Sequence, residues 1–510
     1  MPSRKTAVAT KQKSKKKKSK LSSRFSWLRL SILFVVMALV AAVGVARLPR
    51  TKAAASNITK VVVIFQENHT FDNVLGYMCA TETRTEPCDG TTSGSTKVPV
   101  SKTNSTGSQA IPLTQATDIV PSVGHDPNSQ KTAIDGGKMD GFNKVNGCGP
   151  SASPPYACYT QYHPDQVPNL SSLARSYTIT DRFFSECTAE SAVAHIDLGD
   201  AGKGSQLSQG TCSANFSGAN PTHFSGNGNQ GGCTSKLTAG WVDPASGAKT
   251  AQRICVPLQN GSIPDPKIGT VTTPVPWEDN LFSQLSRNNV SWKEYSSLQR
   301  WDTCRYFAEC IYTQNQAKNI VGTQSILTDA ANGTLPTYSL LVPDGDPNPG
   351  DINETSQHNG SSMLYGDNWI GQVVSAIQNG PDWQHTAIVI TYDDCGCFYD
   401  HVAPPASTTW GLRMPTVIVS PWARPNWTDH TPASFASLVH LIDNVAGLSP
   451  LNDRAASAYD LSGSFNFAQT PLAKTSLKQN TIPAASATYL KAHPAQNDPS
   501  LDSFESGAAH

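Results

Sequence analysis

Three short runs of β-branched and apolar residues predict buried strands along the chain. They span residues 61–65 (VVVIF), 387–391 (AIVIT) and 416–420 (TVIVS). Such runs lack the alternation of polar and apolar residues that marks a half-buried strand, and they are typical of a parallel sheet buried on both faces. We therefore expect a sheet that is covered by helices.

Apolar residues at helical spacing separate or follow these strands. Residues 369–377 lead into the second predicted strand, residues 435–445 follow the third, and residues 277–285 show a further helical pattern. Helices that alternate with buried strands predict a doubly wound α/β domain.

Two regions depart from this alternation. Residues 202–270 are rich in Gly, Ser, Asn and Thr, which predicts a loop-rich insertion. Residues 476–510 are polar and rich in Ala, Ser and Pro, and we expect them to form a weakly ordered tail. The folded domain is therefore assigned to residues 57–475.

The distribution of charge divides the chain more sharply than its total charge does. The 510 residues carry 39 basic and 39 acidic side chains, so the formal net charge is zero. Residues 1–56 hold 14 of the basic residues and no acid, which leaves 25 basic against 39 acidic residues beyond them. An acidic body argues against a nucleic-acid-binding protein, which would present a basic patch on its folded domain.

The basic N-terminal segment, residues 1–56, has the order of features found in export signals. Basic residues precede an apolar run at residues 30–46, the pattern of a signal peptide or a short membrane anchor. A nucleic-acid-binding arm is the rival interpretation, but it does not account for the apolar run. Cleavage and retention stay open. In either case we expect the body outside the cytoplasm, secreted or anchored to the membrane.

The cysteines agree with an exported protein. All twelve lie beyond residue 56, and an even number in an exported chain indicates disulfides. Connectivity is left open, although three local pairs would each close a short loop: Cys79 with Cys88, Cys148 with Cys158, and Cys304 with Cys310. Cys395 and Cys397 are the one arrangement that suggests a metal site, and each could instead bridge elsewhere.

Polar residues follow the first two predicted strands. Glu67 and Asn68 come just after the first, and Asp393 and Asp394 just after the second. Ligands bind beyond the carboxyl ends of the strands in open α/β sheets. Adjacent carboxylates repel unless a proton or a cation neutralises them, and oxygen-rich sites suit hard or borderline divalent metals. These residues predict a divalent-metal site of unknown metal identity; polar turns are the rival interpretation.

Five ordered motifs resemble those of the bacterial and plant phosphoesterase family, which includes phosphatidylcholine-type phospholipases C and related acid phosphatases. Residues 66–76 (QENHTFDNVLG) resemble ENRSFDxxxG, residues 391–405 (TYDDCGCFYDHVAPP) resemble TYDExGGxxDHVxPP, and residues 411–424 (GLRMPTVIVSPWAR) resemble GxRVPxxxxSPWAR. Residues 136–142 (GGKMDGF) and the pair His430-Thr431 also match in order.

The resemblance implies an alkaline-phosphatase-like three-layer α/β/α sandwich with a mostly parallel central sheet and a loop-rich insertion. It also implies a metal-dependent phosphoesterase that forms a covalent phospho-enzyme on a hydroxyl nucleophile. The expected substrate is a phosphomonoester or the phosphodiester of a phospholipid head group. Membrane contact would come through the N-terminal segment if it is uncleaved, and no nucleic acid is expected as a partner.

The nucleophile follows a D-R-x-F segment in the family, here residues 181–184. Counting from that segment places Ser191 at the nucleophilic position. The family usually has Pro-Asn-Arg just afterwards, whereas this chain has Val193, Ala194 and His195. Thr188 and Ser185 are therefore retained as alternatives.

The resemblance also assigns roles to the other candidate residues. Four would hold the metal: Glu67, Asn68, Asp393 and Asp394. Three match positions that carry histidine or lysine in family members: His125, His358 and Lys138. His401 is expected to support the site through a hydrogen bond. The alternative to an enzyme is a non-catalytic surface protein on the same fold, whose insertion binds polymers of the cell envelope.

Overall fold

The computed structural model describes residues 57–97, 107–188, 191–202, 238–242, 249–253, 263–265, 269–271, 280–296, 303–307, 316, 318–343 and 355–493. The predicted export segment, residues 1–56, lies outside these ranges. So do Cys212, Cys233, Cys255 and Cys310, and with them the expected pairing of Cys304 with Cys310.

An eight-stranded sheet forms the centre of the protein. Its strands in chain order are β1 Lys60–Gln66, β2 Thr178–Thr180, β3 Trp292–Tyr295, β4 Ile320–Val321, β5 Tyr338–Leu341, β6 Thr386–Tyr392, β7 Thr416–Val419 and β8 Trp427–Asp429. Across the sheet the order is β4-β3-β5-β1-β6-β7-β2-β8. The three predicted runs are thus β1, β6 and β7, side by side in the middle of the sheet.

The sheet is mostly parallel, with one exception. Strand β7 runs antiparallel to both of its neighbours, β6 and β2. Residues 393–415, between β6 and β7, contain no helix. Parallel neighbours need a crossover, usually helical, so this connection returns the chain in the opposite direction. The strand itself was predicted correctly. It was expected to run parallel to its neighbours, and that expectation was wrong.

Ten α-helices are described. They are α1 Tyr77–Thr81, α2 Pro127–Ile134, α3 Pro168–Ser176, α4 Ser191–Asp200, α5 Leu281–Arg287, α6 Ser325–Asn332, α7 Met363–Asn379, α8 Phe435–Ala446, α9 Asp453–Ser457 and α10 Ala484–Ala492. The predicted helices at 369–377 and 435–445 correspond to α7 and α8. The pattern at 277–285 gives α5, which begins at Leu281 because the Asn280 side chain accepts a hydrogen bond from the Ser283 N–H.

The helices form two groups with the sheet between them. Helix α7 contacts both α3 and α6, and α8 contacts both α4 and α9. The β1 residues 61–66 are all buried, as expected for a strand with both faces covered. The three-layer α/β/α architecture with a mostly parallel sheet is therefore confirmed.

Shorter elements complete the described structure. A π-helical turn spans Asp72–Gly76, and 3₁₀ turns span Asp135–Gly137, Phe142–Lys144, Thr303–Tyr306, Trp383–His385 and Ser462–Ser464. Outside the sheet, Ser93–Lys97 pairs with Ser108–Pro112, and Thr114–Gln115 pairs with Thr160–Gln161. In the insertion, Thr238–Val242 pairs with Lys249–Arg253, and Ile263–Asp265 pairs with Gly269–Val271.

Disulfides close two of the predicted loops. Cys79 bonds to Cys88 and Cys148 bonds to Cys158, as the sequence spacing indicated. Cys187 and Cys304 are also disulfide-bonded. Cys395 and Cys397 are free buried thiols, so the interpretation of all twelve cysteines as disulfides does not hold for this pair.

Residues 476–493, the described part of the predicted tail, are held more firmly than their composition suggested. The backbone N–H groups of Lys478 and Asn480 donate to the side-chain oxygens of Asn169 and Asn368, at 2.9 and 2.8 Å. These contacts attach the segment to α3 and α7, and residues 484–492 then form α10. Within the described ranges, no helix combines the length and hydropathy needed to cross a bilayer.

Arg413 joins the loops that follow β1 and β6. Its Nε donates to Asp400 at 2.9 Å and its Nη2 to Asp72 at 3.1 Å, and all three side chains are fully buried. Its Nη1 donates to the carbonyl oxygens of Asp89 and Asp181, at 2.9 and 3.0 Å. One guanidinium therefore pairs with two buried carboxylates and connects the loops at the edge of the sheet where the candidate site lies.

Replacing Arg413 with Ala should lower the free energy of unfolding by about 3–5 kcal/mol, since it leaves Asp72 and Asp400 buried without their partner. Urea unfolding followed by tryptophan fluorescence measures the change. Arg175→Ala is the control, because it breaks an exposed ion pair with Glu82 and should cost about 1 kcal/mol or less. Equal losses in the two variants would contradict the central role of Arg413.

Candidate active site

The register of β1 and β6 places four polar side chains at one edge of the sheet. The two strands pair in parallel from Lys60 opposite Thr386 to Gln66 opposite Tyr392. The next residues on each strand are the predicted ones, Glu67 and Asn68 on one side and Asp393 and Asp394 on the other. Glu67 is 3% exposed and the other three are fully buried. The structure therefore brings the four predicted metal ligands together.

Backbone N–H groups orient one oxygen of each aspartate. Asp393 Oδ1 accepts from the N–H groups of Asn68 and Asp394, at 2.9 and 2.6 Å. Asp394 Oδ1 accepts from the Gly396 N–H at 2.7 Å. Within the described part of the chain, Asp393 Oδ2 and both side-chain polar atoms of Asn68 are buried without a hydrogen-bond partner. Buried polar atoms seldom stay unpaired in proteins, so these atoms indicate a ligand.

The turn at Asn68 requires an unusual backbone conformation. Asn68 has φ = 60°, in the left-handed region that asparagine enters more readily than most residues. A side chain at Gly396 would place a Cβ 2.3 Å from the Asn68 carbonyl oxygen, so only glycine fits there. The close approach of these two loops is what allows Asn68 and Asp394 to share one site.

The carboxylates of the cluster repel one another, and a positive charge among them would be stabilising. Burial, together with the neighbouring Glu67, raises the pKa of Asp393 to about 7. Burial and the charge of Asp393 raise the pKa of Asp394 well above its usual value. Carboxylates in this state gain either a proton or a cation. Three carboxylates, an amide oxygen and unpartnered buried atoms fit a divalent metal ion, by the chemistry of the donors.

Ser191 is the first residue of α4 and contacts the acidic cluster. Its Oγ donates to Asp394 Oδ2 at 3.3 Å, and the residue is 3% exposed. The N-terminus of a helix also favours an anion such as a phosphoryl group. The hydroxyl of the alternative Ser185 donates instead to the Cys187 carbonyl oxygen at 2.9 Å, and Thr188 is half-buried. The geometry favours Ser191 among the three.

His195 lies one helical turn beyond Ser191 and faces the same cluster. Its Nε2 is 3.8 Å from Glu67 Oε1, and its Nδ1 is 2.7 Å from Thr303 Oγ1. Sequence reasoning treated His195 only as a departure from the family pattern. The missed signal was the spacing of four residues from Ser191, which puts both side chains on one face of a helix.

The structure also brings His125 and His358 together. Their ring centroids are 5.9 Å apart and both residues are buried. The Gln66 side chain fixes the segment that carries His358, because it donates to the Thr355 carbonyl oxygen and accepts from the Gln357 N–H. The segment is thus attached to the end of β1, next to Glu67.

Lys138 is placed differently from the two histidines. Its side chain is 69% exposed, and its Nζ lies 3.6 Å from Asp135. Over the described residues, no ion pair connects Lys138 to the acidic cluster. Its assigned catalytic role stays a prediction that the contacts of this structure do not favour.

His401 forms the hydrogen bond expected of it, at the neighbouring charged network. Its Nδ1 is 2.5 Å from Asp72 Oδ2 and its Nε2 is 2.9 Å from Asp89 Oδ1. Asp72, Asp400 and His401 could be taken for a second metal site from their proximity. Arg413 already supplies positive charge to both aspartates there, so we assign this network a structural role.

The interaction of His401 with Asp72 should make stability depend on pH. Burial alone would lower the pKa of His401, but the hydrogen bond and charge of Asp72 outweigh it and raise the pKa above 6.5. This contribution to stability is complete below pH 6.5 and is lost as the pH rises through the folded-state pKa.

The melting temperatures of the unmodified protein and of His401→Gln are measured from pH 6 to pH 9. The difference between the two at each pH reports this contribution. The difference should shrink as the pH rises. His493→Gln is the control, because His493 is exposed near the end of α10 and should show no such trend. A difference for His401→Gln that stays constant over this range would contradict the charged pair.

The comparisons with known proteins agree with one another on the family. The model of the phosphoesterase family matches residues 58–449. A non-hemolytic phospholipase C of Burkholderia pseudomallei (strain K96243) is 30% identical over 176 residues, which cover 27% of this chain and 24% of that protein. The non-specific phospholipase C6 of Arabidopsis thaliana is 31% identical over 112 residues, which cover 18% of this chain and 21% of that protein. The matches thus span about a quarter or less of these relatives.

One of the solved structures similar to this chain is that of a protein in the alkaline phosphatase superfamily from Vibrio parahaemolyticus. It has a TM-score of 0.34 at 9% identity, over 88% of this chain and 89% of that one.

Proposed function

This chain belongs to the phosphoesterase family, and on that premise we propose that it is an exported, metal-dependent hydrolase of phosphate esters with Ser191 as its nucleophile. The observation that carries the proposal is the contact of Ser191 Oγ with Asp394, within a buried cluster of three carboxylates. A serine hydroxyl at a helix N-terminus beside so much buried negative charge matches a site for phosphoryl transfer.

Glu67, Asn68, Asp393 and Asp394 would hold a divalent metal ion, which lowers the pKa of a bound hydroxyl and neutralises charge on phosphoryl oxygens. The net charge of residues 57–510 supports this requirement. Residues 57–510 carry 25 basic and 39 acidic side chains, so their own field repels a phosphate ester.

The residues of the chain have distinct roles in this reaction. Asp394 accepts the hydrogen bond of Ser191 and thereby orients its oxygen. Ser191 gives up its hydroxyl proton and its oxygen bonds to phosphorus, while the bond from phosphorus to the ester oxygen breaks. The ester oxygen takes up a proton and leaves as an alcohol. Water then hydrolyses the phosphoserine, which releases phosphate or a phosphomonoester and restores the hydroxyl. His125 and His358 are proposed as the groups that donate to the leaving oxygen and the phosphoryl oxygens.

The substrate is proposed to be a phosphomonoester or the phosphodiester of a phospholipid head group. The names of the relatives favour the phosphodiester. The disulfides suit an oxidising compartment outside the cytoplasm. The basic N-terminal segment would direct export and, if uncleaved, would hold the enzyme at the membrane.

Purified full-length protein should hydrolyse p-nitrophenyl phosphate or p-nitrophenylphosphorylcholine when a divalent metal is added, and the ratio of the two rates separates a monoesterase from a phospholipase.

Asp393→Asn should reduce kcat/KM at least about 100-fold, because it removes charge from the proposed metal site. Asp443→Asn alters a buried carboxyl in α8 and should stay within about threefold of the unmodified rate.

A complete absence of turnover of both esters, across pH 5–9 and with several metals, would contradict an enzyme. It would favour the alternative of a non-catalytic binding protein on the same fold.

The nucleophile is tested separately by mass spectrometry of a reaction quenched with acid. Phosphate should appear on the peptide that contains Ser191, and Ser191→Ala should abolish both the label and turnover. Ser185→Ala is the matched control, since that hydroxyl donates to the Cys187 carbonyl oxygen rather than to the cluster. A label on Ser185 or Thr188, with Ser191→Ala still active, would reassign the nucleophile.

A further inference from the structure

The residues implied for the metal all offer oxygen atoms, whereas the structure places one nitrogen donor beside them. One ring nitrogen of His195 and one carboxylate oxygen each of Glu67 and Asp393 lie within 4.8 Å of one another, and all three residues are buried. We infer that His195 is a ligand of the same metal ion, at a position where the family pattern has no histidine. This inference rests on the proposed metal site.

The distance between His195 and Glu67 distinguishes ligation from a hydrogen bond. The 3.8 Å between Nε2 and Oε1 is longer than a hydrogen bond between nitrogen and oxygen. Two atoms that each lie about 2.0–2.2 Å from one ion stand roughly 3–4 Å apart. The separation therefore suits two ligands of one ion.

The position of His195 on its helix explains why it faces the same cluster as Ser191. Helix α4 begins at Ser191 and continues to Asp200, so positions 191 and 195 share one face. Ser191 reaches Asp394, and His195 reaches Glu67 on the neighbouring strand end. One helix face thus spans the cluster, with the nucleophile at one side and the imidazole at the other.

The other nitrogen of His195 is oriented for this role. Nδ1 lies 2.7 Å from Thr303 Oγ1, and the Phe65 ring packs edge-on against the imidazole at 4.9 Å. Thr303 is itself fixed, because Glu294 accepts hydrogen bonds from the N–H groups of Thr303 and Cys304. An Nδ1–H that donates to Thr303 leaves the Nε2 lone pair directed at the cluster, which is the usual arrangement of a metal-binding histidine.

A nitrogen ligand changes which metal the site prefers. Carboxylate and carbonyl oxygens suit Mg²⁺, Ca²⁺ and Mn²⁺, whereas imidazole suits Zn²⁺, Cu²⁺, Fe²⁺ and Ni²⁺, and Co²⁺ lies between Fe²⁺ and Ni²⁺ in the order of affinities. His195 therefore shifts this site toward the second group, away from the preference of an all-oxygen donor set.

The direct test is X-ray absorption spectroscopy of the full-length protein loaded with Co²⁺ and made without a histidine tag. Imidazole scattering should be present in the unmodified protein and absent in His195→Gln. His440→Gln is the matched control, since His440 is buried in α8 with its Nδ1 2.8 Å from the Ala458 carbonyl oxygen, and it should keep the signal. An all-oxygen shell in the unmodified protein, or imidazole scattering that persists in His195→Gln, would overturn the inference.

Calorimetric titration of the metal-free protein gives a second readout that does not depend on turnover. His195→Gln should weaken Co²⁺ binding about 10–100-fold and Mg²⁺ binding by a much smaller factor. Equal changes for the two metals would contradict ligation. The melting temperature of the metal-free variant controls for folding. If His195→Gln does not fold, His195→Asn replaces it in both measurements.

These outcomes separate the inference from the proposed function. Co²⁺ that binds and supports hydrolysis without any imidazole signal would refute the role of His195 alone. A protein that binds no metal and hydrolyses neither ester would refute the proposed function together with the inference.

Discussion

Three carboxylates buried side by side are the physical constraint on which the arrangement of this protein depends. Glu67, Asp393 and Asp394 are excluded from water, where each negative charge raises the free energy of the next. Backbone N–H groups satisfy one oxygen of each aspartate, but they carry no net charge and cannot neutralise the cluster. A cation at this position would relieve the repulsion and would supply the positive charge that the proposed phosphoryl transfer needs. A cation at the cluster would therefore serve both the stability of the fold and the proposed reaction.

The three buried carboxylates, and the repulsion among them, lie at one edge of the sheet. Other interactions stabilise the surrounding loops. Parallel pairing of β1 and β6 brings the two strand ends level with each other. The loops beyond them approach closely because Asn68 accepts a left-handed conformation and Gly396 has no side chain. Arg413 then connects both loops through Asp72 and Asp400. Arg413 and His401 supply positive charge to this second network, which favours a structural role for it.

Much of this arrangement could be predicted from the sequence, because local patterns encode it. The apolar runs identified β1, β6 and β7, and the residues after the first two gave the acidic cluster. The direction of β7 could not be predicted, since it depends on the absence of a helix in residues 393–415. The attachment of Lys478 to Asn169 involves residues 309 positions apart, a contact that composition does not reveal. His195 was overlooked because comparison with the family pattern marked it as a deviation, whereas helical spacing makes it a neighbour of Ser191.

A crystal structure of the protein soaked with Co²⁺, with anomalous data collected at the cobalt edge, tests the central claim most directly. The account predicts one strong anomalous peak at the strand ends, about 2.0–2.3 Å from Asn68 Oδ1 and Asp393 Oδ2. A cluster without a peak there, or a peak instead at Asp72, Asp400 and His401, would contradict the account.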